Sequence, residues 1–294
     1  MENTSMSADK KSLAIAAGCY ALWGILPAYW QLMEGVDSLL VLCLRIIFSL
    51  AFTLILLGIT RQTKLLLSTL RDKSLMRWLA PAALLVTFNW GLYIWGVNSG
   101  RVIECSLGYY MNPLIVFLLG VLLFREKCTR LQLFSVALAF AGVLISVIAY
   151  GDFPFISFGL ALSFAAYGVL KKKAHVEPIS GIAVETLIMT PFALAFAAFF
   201  RADGIAGLNT VEALLAAWSG AVTATPLILY GRSVNHIPFF IVGFIQYISP
   251  SISLVYAILV GETASTAQII SFSFIWLGLA VFSFTLAGNK QAPS

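Results

Sequence analysis

The stretch Asn89-Trp90-Gly91-Leu92-Tyr93-Ile94-Trp95-Gly96-Val97-Asn98 concentrates amides and aromatic rings inside an otherwise apolar run. At helical spacing Asn89, Tyr93, Gly96 and Gly100 share one face, and Asn89, Trp90 and Tyr93 lie within one turn. Amides and rings that face a cavity bind an amphipathic or aromatic solute by stacking and hydrogen bonding. The same residues also suit interhelical hydrogen bonding and close glycine packing. Trp95 and Asn98 also fit the aromatic belt at a membrane surface. A second aromatic pair, Tyr20 and Trp23, is three residues apart and is followed by Gly24 and Pro27.

Two charges lie within apolar runs, Arg45 and Glu185. An ionisable group at membrane depth is costly and marks a functional site by default. Arg45 can instead extend outward to the interface. Glu185 is shorter, which makes it the candidate for proton or cation coupling, for an amine substrate, or for a hydrogen bond to a neighbouring helix. At 1.5 Å per residue each lies ~10 Å from an opposite membrane edge, so the two do not pair directly. Pro113, Pro191, Pro226 and Pro250 bend their helices and free carbonyls, either as hinges beside a site or for packing alone. Tyr109 and Tyr110 precede Pro113, and Gln246 and Tyr247 precede Pro250, so these pairs are expected in the same central region.

The elements that must position these residues follow from composition. Of 294 residues, 60% are hydrophobic and 11% charged, and the mean hydropathy is +0.94. Soluble domains carry about 25% charged residues, so a soluble enzyme or a disordered chain is excluded. The pI of about 9.0 does not signal nucleic-acid binding, because the positive charge sits in short segments between apolar runs. Ten runs are long enough to span a bilayer: 12–32, 38–60, 78–98, 104–124, 131–149, 155–172, 179–200, 211–230, 238–260 and 267–288. An all-α membrane bundle follows, since a helix satisfies its own backbone in lipid. The longest connection, 61–77, leaves no room for a soluble domain. The first run lacks a small-residue cleavage site and reads as a retained span.

With the N-terminus in the cytoplasm, 15 of the 18 Lys and Arg fall on the inner side, Arg101 and Arg201 fall outside, and Arg45 lies within a span. That asymmetry puts both ends in the cytoplasm. Cys19, Cys43, Cys105 and Cys128 form no metal or disulfide framework. His175 and His236 lie in separate loops, and no catalytic signature is present, so no cofactor is expected and a membrane enzyme is disfavoured. Glu126 and Glu262, at span ends, read as caps or loop ion pairs.

The chain also repeats. Tyr20-Ala21-Leu22-Trp23-Gly24 matches Phe164-Ala165-Ala166-Tyr167-Gly168 at an offset of 144. Tyr110-x-x-Pro113 matches Tyr247-x-x-Pro250 at 137, and Glu126, Gln132 and Gly142 match Glu262, Gln268 and Gly278 at 136. Duplication is expected, with halves at 1–149 and 150–294. Five spans per half is odd, so the second half enters the membrane inverted, an architecture of transporters. Tyr167, the counterpart of Trp23, would then join the central site.

These segments, together with Ser106-Leu107-Gly108-Tyr109, Asn112-Pro113 and Gly243-Phe244-x-Gln246-Tyr247-x-x-Pro250, resemble the RarD group of the EamA family in the drug/metabolite transporter superfamily. The resemblance covers nearly the whole chain in order. Lys171 to Lys173 depart from the Arg-Lys usual in the group, and Ser99 stands where relatives often carry a polar ring. The resemblance implies ten helices as two EamA repeats in a bacterial inner membrane. It also implies a permease or exporter for a small amphipathic metabolite or drug such as chloramphenicol, working by alternating access. The expected substrate-binding residues are Tyr20, Trp23, Asn89, Trp90, Tyr93, Tyr109, Tyr167, Gln246 and Tyr247, in a cavity among spans 1, 3, 4, 6, 8 and 9. Glu185 and Arg45 are the coupling candidates, with protons as the ion, and the lipid bilayer is the other partner. The alternatives are an amino-acid transporter or a non-transporting scaffold or ligand sensor.

Overall fold

The computed structural model describes residues 10–261 and 263–288; Glu262, Lys290 and the polar start as far as Asp9 lie outside the described residues. Among the described residues the chain is helical and has no strand. The first half contains α1 (Lys10–Gln31), α2 (Ser38–Ile59), α3 (Thr63–Arg71), α4 (Lys73–Asn98), α5 (Val102–Leu123) and α6 (Arg130–Tyr150). The second contains α7 (Phe155–Ala174), α8 (Pro178–Phe200), α9 (Ala202–Ala206), α10 (Thr210–His236), α11 (Phe239–Ile245), α12 (Ile248–Leu259) and α13 (Thr266–Gly288). Ten helical segments, with α11 and α12 as one, are long and apolar enough to cross a membrane.

The helices start where polar caps meet the apolar runs. Asp37 accepts from Leu40 N at 2.9 Å to open α2, and Asp72 accepts from Ser74 N at 2.7 Å to open α4. Thr129 with Gln132 and Asn209 with Glu212 form capping boxes on α6 and α10. Glu177 accepts from Ser180 N at 2.7 Å ahead of Pro178 on α8. Each cap satisfies orphan amides at the end of the bundle, where water gives way to lipid.

Two departures from the apolar runs have physical causes. The connection 61–77 holds α3, which counting apolar runs does not find because the helix is mostly polar; its buried Thr69 shares a 2.9 Å hydrogen bond with Ser180 on α8. The ninth span is broken between α11 and α12. Pro250 lacks the N–H that would serve the Gln246 carbonyl, and its ring crowds that carbonyl. The Gln246 carbonyl accepts from Ser249 N at 3.1 Å instead, and the break falls at Gln246 and Tyr247.

Packing runs mostly between the halves. α1 packs on α10 and α12, α7 on α4 and α5, α2 on α8 and α10, α8 on α4, α5 on α11, and α6 on α13. Glycines permit the closest crossings. A Cβ on Gly142 would stand 2.5 Å from the Ser271 carbonyl oxygen, and one on Gly278 would stand 2.7 Å from that of Ser135. Ser49 donates to the Gly220 carbonyl at 3.2 Å where α2 meets α10. The four cysteines are free thiols and three of them are buried.

Candidate functional site

A cavity of about 210 Å³ lies among α1, α2, α4, α5, α7 and the α11–α12 break. It occupies the half of the bundle away from the Lys- and Arg-rich end. Along α1 its wall runs from Tyr20 and Trp23 through Leu26 and Pro27 to Trp30. α2 contributes Arg45, and α4 contributes Asn89, Trp90 and Tyr93. α5 adds Ser106, Gly108, Tyr109, Tyr110 and Asn112; α7 adds Leu160 and Phe164. Gln246, Ser249, Pro250 and Ser253 enter from the broken span.

The cavity therefore gathers Tyr20, Trp23, Asn89, Trp90, Tyr93, Tyr109 and Gln246 among the substrate-binding candidates, and Arg45 with them. Tyr167 and Tyr247 do not reach it. Both are 1% exposed or less. Tyr247 donates to the Tyr110 carbonyl at 3.2 Å, and Tyr167 donates to Glu185 at 3.1 Å. Tyr167 lies one turn further along the same face of α7, its ring 5.7 Å from that of Phe164, and Phe164 takes its place on the wall. α10, the eighth span, stands behind the wall and touches it through Thr223, while the second span joins it through Arg45. Trp95 and Asn98 are exposed and do not line the cavity.

Arg45 is the one charged residue of the lining. Its guanidinium sits 4.1 Å from the Trp90 ring centroid and 4.8 Å from that of Trp30, with Nε donating to Thr223 Oγ1 at 3.2 Å. No carboxylate pairs with it among the described residues. Around mid-depth is a chain of amides. Gln246 Nε2 donates to Asn112 Oδ1 at 2.5 Å, and Asn112 Nδ2 donates to the Ala161 carbonyl at 2.5 Å. Asn89 Nδ2 donates to the Leu160 carbonyl and to Ser163 Oγ, each at 2.8 Å. Asn89 thus fixes α4 to α7 while also facing the cavity. Two fully buried polar atoms of the lining residues have no partner, the Tyr20 hydroxyl and Gln246 Oε1. Both residues are buried, Tyr20 to 1% exposure and Gln246 to 6%.

Beyond Tyr20 and Trp23 the bundle is filled. Trp23, Phe164 and Tyr230 form a mutual cluster with ring centroids 5.6–5.7 Å apart. Tyr167 stacks on Tyr230 at 6.0 Å, with 17° between the planes. Behind this plug Glu185 Oε1 takes a 2.6 Å ion pair from Lys171, and both side chains are 3% exposed or less. Lys172 pairs with Glu126 at 3.4 Å and donates to the Ile237 carbonyl at 2.8 Å. Glu126 also accepts from Phe239 N at 2.7 Å and Phe240 N at 2.9 Å, so it is both a helix cap and a loop ion pair.

Sequence reasoning missed several lining residues. Trp30, Phe164, Asn112, Ser249 and Ser253 each look like packing or loop-edge residues in isolation. Asn112 had a signal, since an amide just before an intramembrane proline faces a weakened helix turn. Lys171 had none. It belongs to a basic run at a span end, and its long chain folds back into the bundle to reach Glu185.

The EamA-like transporter family matches this chain twice, over residues 10–148 and 154–284. A Bacillus subtilis protein named Uncharacterized transporter YojE is 38% identical over 288 residues, covering 96% of this chain and 97% of that one. Protein RarD of Escherichia coli is 36% identical, covering 93% of this chain and 94% of its own. A Pseudomonas aeruginosa protein named Chloramphenicol-sensitive protein RarD is 30% identical, covering 95% of this chain and 96% of its own. One solved crystal structure, 19% identical, superposes with a TM-score of 0.74 over 94% of this chain and 99% of that chain; this likeness concerns the fold alone.

Proposed function

The chain belongs to the EamA-like transporter family, and from that premise we propose that it is a secondary transporter moving a small amphipathic solute across a bacterial inner membrane by alternating access. The supporting observation is a cavity lined by rings, amides and one guanidinium that ends at mid-bundle against an aromatic plug. A carrier in one of its two end states has that form, open toward one side and filled toward the other. The basic residues crowd the filled end, which on the charge rule is the cytoplasmic side and holds both termini. The cavity then faces outward.

The two halves act as inverted repeats. Exchanging the first five spans with the last five turns the α1–α10 contact into α7–α4, α1–α12 into α7–α5, and α2–α10 into α8–α4, and each of these pairs is packed. The pairs α2–α8, α5–α11 and α6–α13 map onto themselves. Gly142 abuts Ser271 and Gly278 abuts Ser135, which is the reciprocal contact of a two-fold relation. Rocking about such an axis would open the Glu185 side while closing the Arg45 side. Glu185 serves as the coupling group: protonation would release Lys171 and loosen the inner closure.

Counterflow in proteoliposomes tests the reading with a panel of amino acids, purines, organic acids and chloramphenicol, with and without a pH gradient. The expected result is saturable exchange that Trp90→Ala abolishes in folded protein. Glu185→Gln combined with Lys171→Met, which leaves no buried charge unpaired, is expected to keep exchange and remove its dependence on the gradient. Ligand binding by folded protein without counterflow of any bound solute would favour a ligand sensor instead.

A further inference from the structure

Arg45 is held as a receptor rather than as an ion-pair partner. Its cationic face is covered on two sides by the Trp30 and Trp90 indoles, and Nε is engaged by Thr223. Both Nη groups remain without a protein acceptor among the described residues. A guanidinium at membrane depth with no counter-ion is costly, and its planar fork matches a carboxylate with two parallel hydrogen bonds. The lining carries no Asp or Glu, so no carboxylate there balances a ligand ammonium. Deeper in the cavity, Gln246 Oε1 and the Tyr20 hydroxyl are buried and unpartnered. A buried acceptor without a donor costs free energy that a ligand hydroxyl or N–H would recover. The volume of about 210 Å³ is below the roughly 300–1,000 Å³ of sites for drug-sized ligands.

We propose that the substrate is a small organic monoanion. Its carboxylate binds Arg45 between the two indoles, its apolar or aromatic body lies along Pro27 and Phe164, and a hydrogen-bond donor at its far end meets Gln246. This rests on the carrier reading of the same cavity and narrows it, since amino acids, amines and neutral drugs each leave Arg45 or an ammonium unbalanced.

One scaffold in four charge states tests this. Full-length protein in lipid nanodiscs is dialysed to equilibrium against radiolabelled 4-hydroxyphenylacetate. Its amide, tyramine and tyrosine serve as competitors, and phenylacetate probes the donor end. The acid is expected to bind at least about tenfold more tightly than the amide, as a charge-assisted pair implies. Tyramine and tyrosine are expected to compete more weakly still, and phenylacetate more weakly than the hydroxylated acid. Arg45→Gln is expected to bring the acid-to-amide ratio to about one, and Arg45→Lys to restore part of it, with the melting temperature confirming that both variants fold. Equal or tighter binding of tyramine overturns the proposal. So does a preference for the acid that survives Arg45→Gln, or an acid that fails to bind at millimolar concentration. An acid that binds as expected but never exchanges in counterflow refutes the carrier and keeps the anion site. Counterflow of another solute, sensitive to Trp90→Ala and untouched by the acid, keeps the carrier and refutes the anion site.

Discussion

Arg45 and Glu185 stand in matching places and live in opposite surroundings. Arg45 is seven residues past Ser38, the start of α2, and Glu185 is seven past Pro178, the start of α8. Their separation of 140 falls between the repeat offsets of 136 and 144. One half of the bundle is hollow around its charge, which has indoles and a hydroxyl but no counter-ion among the described residues. The other half is filled around its charge, which holds Lys171 and Tyr167. Under the proposed inverted repeat the two positions are counterparts, and the sequence places opposite charges there. The difference teaches how one fold separates two tasks. A charge left without a protein partner awaits a ligand, whereas a charge given a buried partner holds helices together until something neutralises it.

The largest effect should come from breaking the filled side. Glu185→Ala leaves Lys171 buried and uncompensated, which costs about 3–5 kcal/mol for such pairs. Loss of folded protein in detergent, read by size-exclusion and thermal melting, is expected. Replacing both members, Lys171→Met with Glu185→Leu, should recover most of that stability, because a buried pair is often no better than an apolar one. Arg45→Gln should cost much less, about 1–2 kcal/mol, since it removes cation–π contacts and strands no opposite charge. Equal melting losses for Glu185→Ala and Arg45→Gln would erase the distinction between the two halves.

Next is a test of equivalence rather than difference. Gly142 and Gly278 face each other's helices reciprocally. Gly142→Val and Gly278→Val should each cost about 1–3 kcal/mol from overpacking, and by similar amounts. Similar losses at these two positions beside unequal losses at Arg45 and Glu185 would show that the repeats agree in packing and differ only at the site. A large loss for one glycine alone would contradict the two-fold reading of the α6–α13 contact.

Much of this was legible in the chain. Apolar runs marked the ten spans, because length and hydropathy suffice when a helix must satisfy its own backbone in lipid. Seven of the nine residues expected at the site meet in one cavity, because rings and amides within apolar runs are rare enough to stand out. The misplaced pair shows where periodicity ends. Tyr167 matches Trp23 in sequence, but it stands nearer the filled end and packs into the plug rather than the cavity. The Lys171–Glu185 pair was hidden for a different reason. Charge-counting assigns a span-end lysine to water, and only the folded helix shows its chain turned inward to 2% exposure.

The smallest effect is expected at an ion pair on the other surface. Arg201 Nε donates to Asp37 Oδ1 at 2.8 Å, with side chains 31% and 44% exposed. Partial burial pushes the Asp37 carboxyl up, but the Arg201 hydrogen bond and the Leu40 amide outweigh it and hold the group below its ordinary range. A carboxyl lowered by folding contributes stability above its unfolded titration, near pH 4, and loses it as the pH falls through the folded value. Water and salt screen this pair, so Asp37→Asn should cost no more than about 1 kcal/mol at neutral pH. The amide keeps the helix cap through its own oxygen, which confines the loss to the charge. Melting of Asp37→Asn should therefore match wild type in high salt and at pH below the folded titration of Asp37, and differ by a degree or two otherwise. A loss as large as that of Glu185→Ala would mean that exposure is not what separates the two ion pairs, and that the outer end is held as firmly as the inner one.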